Sequence, residues 1–399
     1  MRLLHVISSL DPRAGGPVRW IHSLHRELRR RGHTSSIVTF DSPEAEFLRG
    51  VEAPLTAAGP AKGFYSLCPR AISLIREQAP QVDAVVVEGL WQFQGLATRA
   101  ALRSLDVPYL VFPHGMLDPW FRNYYPLKHL KKSAYWHLVE RQVLAKARSV
   151  VFTNAEEARL ARLSFPRSDW HEEIVRFGIE DVPPNEDQLR ADFLSEHPEL
   201  AGKRVLLFLG RLHEKKGYDI LLQAFAAVSQ SDSTLHLLLA GPADEHVSRR
   251  IQQLIRQAGL ERRVTRLDFV SGTRKWGALY AAELFCLPSH QENFGIAVAE
   301  ALACGIPVLV SDKVNIHGEI SLAGAGVVGS DTVEATIASL RRWLEYADSQ
   351  RQAMKVAARD CFRQNFHISY AVDDLLRITA SHIGRSRSER VPVPASSLD

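Results

Sequence analysis

Short apolar runs alternate along the chain with longer stretches in which apolar positions recur every three or four residues. In the first half the runs fall at 3–8, 36–40, 84–88, 108–112 and 149–153, each of a length suited to a buried strand. Helical patterns lie between them, such as 18–31, which places Ile21, Leu24, His25 and Leu28 on one face. The second half repeats the theme with runs at 205–210, 235–241, 264–270, 284–288 and 306–311. There a helix over 218–229 turns Leu221, Leu222, Phe225 and Val228 inward. Such alternation predicts parallel sheets joined by crossover helices.

The Pro- and acid-rich stretch 180–200 interrupts the rhythm and marks a domain boundary. The predicted fold class is therefore α/β, with two Rossmann-like, doubly wound domains at 1–182 and 183–365 facing a central cleft. Ligands of such domains bind at the carboxyl ends of the strands. A last helix, 366–383, is expected to pack back on the first domain. The segment 384–399 lacks apolar periodicity and is expected to be a flexible tail.

Composition narrows the class. A length of 399 residues suits two domains, and a net charge of +4 fits anionic substrates or a lipid surface rather than nucleic acid. The cysteines, Cys68, Cys286, Cys304 and Cys361, are scattered singly, which predicts reduced, buried thiols and no metal site. The N-terminal apolar run is short and carries His5, so it reads as a first strand rather than a signal peptide. No stretch is apolar for about 18 residues, which argues against a membrane span. The expected compartment is the cytosol.

The richest chemistry lies at 288–311. Glu292 sits on a loop after a strand, and Asn293, Phe294 and Gly295 open a helix that Gly305 and Pro307 end. A helix N-terminus offers unpaired N–H groups and partial positive charge, a natural seat for phosphate. Glu300 lies roughly 7–8 Å further along that helix. Two carboxylates can thus flank a diphosphate, Glu292 reaching sugar hydroxyls and Glu300 ribose hydroxyls. Each glutamate alone reads as a cap or a solvated helical residue; the glycines, the turn and the flanking strands favour ligand contact. At 208–225, Arg211 and Lys216 follow a strand end, where fixed cations can stabilise a departing diphosphate without a bound metal. Lys215 beside them reads as solvated.

These segments, GRLHEKKG (210–217), AGP (240–242), DFV (268–270), LPS (287–289) and E-N-F-G-x-x-x-x-E-A followed by G-x-P-V, resemble the large retaining glycosyltransferase family 4, of GT-B fold. The resemblance covers most of the chain. It implies that Glu292, as first residue of an E-x7-E motif, contacts the donor sugar, Glu300 the ribose, and Arg211 and Lys216 the diphosphate. It gives Gly15 and Gly16, between the first strand and first helix, a phosphate contact through backbone N–H groups. It makes His114, after the strand at 108–112, a positioner of sugar and acceptor, with Asp118 as neighbour, and it gives Thr153 and Glu156 the cleft wall. One departure is R-F-G-I-E at 176–180, where the family often has P-N-G-[IV]-D, so Arg176 receives no role.

The loop at 8–20 is no G-x-G-x-x-G fingerprint, which argues against a dinucleotide cofactor. No cofactor or essential metal is expected, the nucleotide sugar being the donor substrate and a saccharide or lipid-linked molecule the acceptor, in surface polysaccharide or lipopolysaccharide synthesis. Rival readings are a nucleotide-sugar 2-epimerase, a glycosyl phosphorylase and a non-catalytic sugar-binding protein. Between 120 and 148, Arg122, Lys128, Lys131, Lys132, Arg141, Lys146 and Arg148 stand against Glu140 and are interleaved with Trp120, Phe121, Tyr124, Tyr125, Tyr135 and Trp136. That segment is either a peripheral contact with anionic membrane or an amphipathic helix with a solvated basic face.

Overall fold

The computed structural model of the protein describes residues 1–120, 122, 126–165 and 169–388. The chain divides into two compact units, Met1–Gly178 with Ile368–Asp399, and Ile179–His367. The sequence placed the break slightly later, between 182 and 183.

The first unit holds seven parallel strands: β1 (Arg2–Ile7), β2 (Thr34–Thr39), β3 (Leu55–Ala57), β4 (Ala84–Glu88), β5 (Tyr109–Phe112), β6 (Ser149–Phe152) and β7 (Glu172–Ile174), in the order β3-β2-β1-β4-β5-β6-β7. Helices cover both faces, so the central strands are mostly apolar. Leu4, Val6, Val85, Val87 and Val111 are all buried in one core. The order reverses between β1 and β4, where Ile7 stands opposite Glu88. A doubly wound sheet opens a crevice at that point, beyond the carboxyl ends of its strands.

The last helix, Ile368–Ser388, belongs to this unit. Arg31 donates to Asp373 (2.5 Å), Arg176 to Asp374 (2.8 Å), and Ser149 Oγ lies 2.8 Å from His382 Nε2. Arg176, left without a role by sequence, thus fastens this helix. The helix also corrects the expected tail: its ladder continues past Ile383 to Ser388, because no proline intervenes before Pro392. The remaining tail residues, 389–399, lie outside the described residues.

The second unit repeats the plan with β8 (Arg204–Leu209), β9 (Leu235–Ala240), β10 (Val264–Leu267), β11 (Ala282–Leu287), β12 (Val308–Ser311) and β13 (Gly326–Gly329), ordered β10-β9-β8-β11-β12-β13. Its order reverses between β8 and β11. Strands β3, β7 and β13 had no counterpart in the sequence reading. They are edge strands of three or four residues (LTA, EEI, GVVG), too short and too polar to form an apolar run.

Candidate active site

In the second unit the candidate residues gather at the carboxyl ends of β8 and β11. Beyond β8, Arg211 is exposed, and a single turn, Glu214–Lys216, is capped by His213, whose ring accepts the Lys215 N–H at 3.1 Å. Gly217 follows with φ 68°, and a Cβ there would lie 2.0 Å from the Pro288 carbonyl oxygen. Only glycine lets the two loops meet backbone to backbone. The Lys215 carbonyl then accepts from Ser289 Oγ at 2.8 Å and from the His290 N–H at 2.9 Å. This seam brings Lys216 Nζ onto Glu292 Oε2 as a salt bridge. Burial pushes the Glu292 carboxyl up, but the adjacent Lys216 ammonium, helped by Lys215 and the Gly295 backbone, outweighs it and holds the group below the usual range. The backbone of Glu292 is fixed as well, its N–H donating to the Lys313 carbonyl and its carbonyl accepting the Asn315 N–H, both at 3.0 Å.

Gly295 caps the helix Ile296–Ala303 at φ 77°, a left-handed conformation that favours glycine. Within its first turn the Val298 N–H donates to the Gly295 carbonyl at 2.8 Å. Asn293 Oδ1 accepts from Asn315 Nδ2 at 3.2 Å. The ring of Phe294 is buried and meets Phe366 edge-on, centroids 5.6 Å apart, which leaves only its backbone to meet a ligand. Glu300 is buried too, one turn into the helix, and accepts from Lys275 Nζ at 2.7 Å. Sequence reasoning missed Lys275. It lies on Gly272–Ala281, a helix remote in sequence, and looked like an ordinary helical lysine.

The first unit gathers its residues at the carboxyl ends of β1, β4 and β5. His114 adopts φ 51°, unusual for a residue with a side chain. Its Nε2 lies 2.5 Å from Glu88 Oε2, while Glu88 Oε1 lies 2.7 Å from His5 Nδ1. Neither Glu88 nor His5 was singled out from sequence, because each sits inside an apolar strand run. A charged residue closing an otherwise apolar strand was the available signal. Asp118 accepts the Trp120 N–H at 2.7 Å.

Gly15 lies between the turn Pro12–Ala14 and the helix Gly16–Arg30, and its N–H donates to the Pro12 carbonyl at 3.2 Å. Glu156 pairs with Arg159 at 2.6 Å, one turn along the helix. The buried carboxylate is Glu157, which accepts from Thr153 N–H (2.8 Å), Thr153 Oγ1 (2.6 Å) and Gly115 N–H (2.6 Å). Asn154 caps Ala155–Ser164, so Glu157 is the third helical residue, the position whose side chain folds back over the helix start.

The basic aromatic segment also divides differently from its sequence pattern. Trp136 is buried against Phe165 with ring centroids 4.5 Å apart, and Tyr135 stacks on Tyr65 at 5.0 Å. Leu130 (69%) and Leu138 (75%) are exposed instead. Phe121, Tyr124 and Tyr125 lie outside the described residues.

Two doubly wound parallel α/β units, each with polar side chains at its strand-order reversal, have the architecture of the GT-B fold. The family of glycosyl transferases group 1 matches residues 190–360, and the glycosyl transferase 4-like domain matches residues 15–174. The chain belongs to the group 1 glycosyltransferases and is an enzyme of that type. A D-inositol 3-phosphate glycosyltransferase of Salinispora tropica is 28% identical over 62% of this chain and 54% of its own length. A protein of the same description from Rhodococcus erythropolis is 25% identical over 91% of this chain and 86% of its own. Among solved structures, Anabaena HepE in complex with UDP and glucose has a TM-score of 0.75 at 18% identity, covering 96% of this chain and all (100%) of that one.

Proposed function

We propose that this chain is a retaining glycosyltransferase that moves a sugar from a nucleoside diphosphate donor to a saccharide or lipid-linked acceptor, in assembly of surface polysaccharide or lipopolysaccharide. The observation that carries the reading is the Lys216–Glu292 pair beside the Gly295-capped helix, at the strand-order reversal of the second unit. An ammonium and the N-terminal end of a helix stand together there, a combination suited to a diphosphate. Glu292 then meets the sugar hydroxyls and Glu300 the ribose. Arg211 adds a second cation, and Asn293, Phe294 and Gly295 contribute backbone. His114 positions sugar and acceptor, and the turn at Gly15 and Gly16 contributes backbone to the donor phosphates. The bond from the anomeric carbon to the phosphate oxygen breaks as the acceptor oxygen bonds that carbon on the same face. The departing phosphate oxygen takes the acceptor proton, and Lys216 and Arg211 neutralise its charge, so no metal is required.

Thermal unfolding with UDP, GDP or ADP, alone and as sugar nucleotides, tests this. A nucleotide at a hundred times its Kd stabilises by about 2.7 kcal/mol, which raises Tm by roughly 5–10 °C, and EDTA leaves the shift unchanged. No response to any sugar nucleotide, with or without divalent cation, ends the reading. Retention is read from the anomeric configuration of the product.

Leu130 and Leu138, flanked by Lys131 and Lys132, extend the proposal to an anionic bilayer as the place where the acceptor is met. No described helix is long and apolar enough to cross a membrane. Phosphatidylglycerol vesicles are expected to co-sediment the protein at low salt. The L130S/L138S variant should bind them several-fold more weakly, and equal binding by both proteins refutes the contact.

A further inference from the structure

The sharpest arrangement outside the donor-binding loops is the buried chain His5–Glu88–His114. The Glu88 and His5 side chains are 0% and 1% exposed, and that of His114 is 5% exposed. His5 and Glu88 lie diagonally across β1 and β4 on one face of the sheet, since His5 pairs with Val86 and Ile7 with Glu88. His114 enters from the end of β5, its backbone held at φ 51°. The Met116 N–H closes that loop on the Pro113 carbonyl at 3.0 Å, and Glu157 holds the Gly115 N–H at 2.6 Å. An ionised carboxylate only accepts hydrogen bonds, so each ring nitrogen facing Glu88 must carry a proton. Burial pushes the Glu88 carboxyl up, and the hydrogen bonds from His114 and His5 overcome this and keep it ionised.

We propose that Glu88 is a positioning residue that locks His114 as the tautomer protonated on Nε2, presenting its Nδ1 lone pair as a hydrogen-bond acceptor for a hydroxyl of the donor sugar. The geometry leaves that atom for the task. His114 Nε2 is consumed by Glu88, while Nδ1 has no protein partner among the described residues and is not sealed from solvent. A free histidine can offer either nitrogen in either state, and a second buried partner removes that ambiguity. His5 occupies the other carboxylate oxygen, so Glu88 cannot swing away from His114 without leaving a buried donor unmatched. The sugar contact rests on the reading of His114 under Proposed function; the tautomer lock does not.

The two parts are therefore tested separately. In 15N-histidine-labelled protein without ligand, His114 is expected to show a protonated Nε2 and an unprotonated Nδ1. In Glu88→Gln the amide can accept from one imidazole but must donate to the other, and His114 is expected to lose its single tautomer. Turnover of UDP-glucose, or of whichever sugar nucleotide gives the largest thermal shift, is expected to fall in kcat/KM by on the order of ten- to a hundredfold in E88Q. A purely structural role would instead lower Tm and leave the His114 signals of the folded fraction unchanged. A wild-type spectrum with the proton on Nδ1 overturns the proposal, and needs no variant to fold. So does an E88Q protein with wild-type His114 signals and wild-type kcat/KM. Should the spectra behave as expected while His114→Ala transfers sugar at the wild-type rate, the lock stands and the sugar contact falls.

Discussion

Lys216→Ala is expected to lower kcat/KM for glycosyl transfer by about a hundredfold to a thousandfold, the range seen when one preorganised donor to a developing anion is removed. In the proposed reaction the developing charge sits on the departing diphosphate, so a cation beside it lowers the barrier more than it tightens donor binding. Lys216 is held in place through the Gly217–Pro288 seam rather than by its own long chain. Glu292 is its salt-bridge partner. Lys216→Arg keeps the charge but not the shape, and recovers only part of the rate. Lys216 is 26% exposed and Glu292 17%, so water can replace the lost partner and Tm falls by only a few degrees. Steady-state kinetics with a saturating acceptor decide the matter. A K216A enzyme within threefold of wild type would remove Lys216 from the reaction.

Lys275→Met is expected to act mainly on stability. The Lys275 and Glu300 side chains are only 10% and 6% exposed, so removing the ammonium takes a salt-bridged cation away from a buried carboxylate. Breaking one partner of such a pair costs about 3–5 kcal/mol, or roughly 6–20 °C of Tm in a unit of this size. The double variant K275M/E300Q should recover much of that loss, because an uncharged amide tolerates burial far better than a lone carboxylate. If Glu300 receives ribose hydroxyls, a saturating nucleotide stabilises K275M more than it stabilises the wild type. Thermal melts of the four proteins of the cycle test this, and equal Tm values for K275M and wild type would falsify the buried-pair argument.

Much of the architecture was legible because burial on both faces forces parallel strands to be apolar. Ten strand runs and the alternating helices stand out for that reason. Strands β3, β7 and β13 did not, since an edge strand of a few residues needs no apolar run to pair on one side. The loop chemistry near Gly217, Glu292 and Gly295 was legible because glycines and charges cluster locally around strand ends. That Glu157 rather than Glu156 is the buried carboxylate was not legible, since a strand–turn–helix pattern locates the turn but not which side chain folds back.

By itself, then, the sequence determined the α/β class, the two doubly wound sheets and the local loops that carry Arg211, Lys216, Glu292 and Glu300. Those depend on periodicity and on neighbours a few positions apart. Only the tertiary structure decided that Lys275 answers Glu300, that Glu88 joins His5 to His114, and that Trp136 turns inward while Leu130 and Leu138 face out. Each of these pairs residues distant along the chain, and a buried charge or an aromatic ring acquires its partner only when the sheet and helices bring them within a few ångströms.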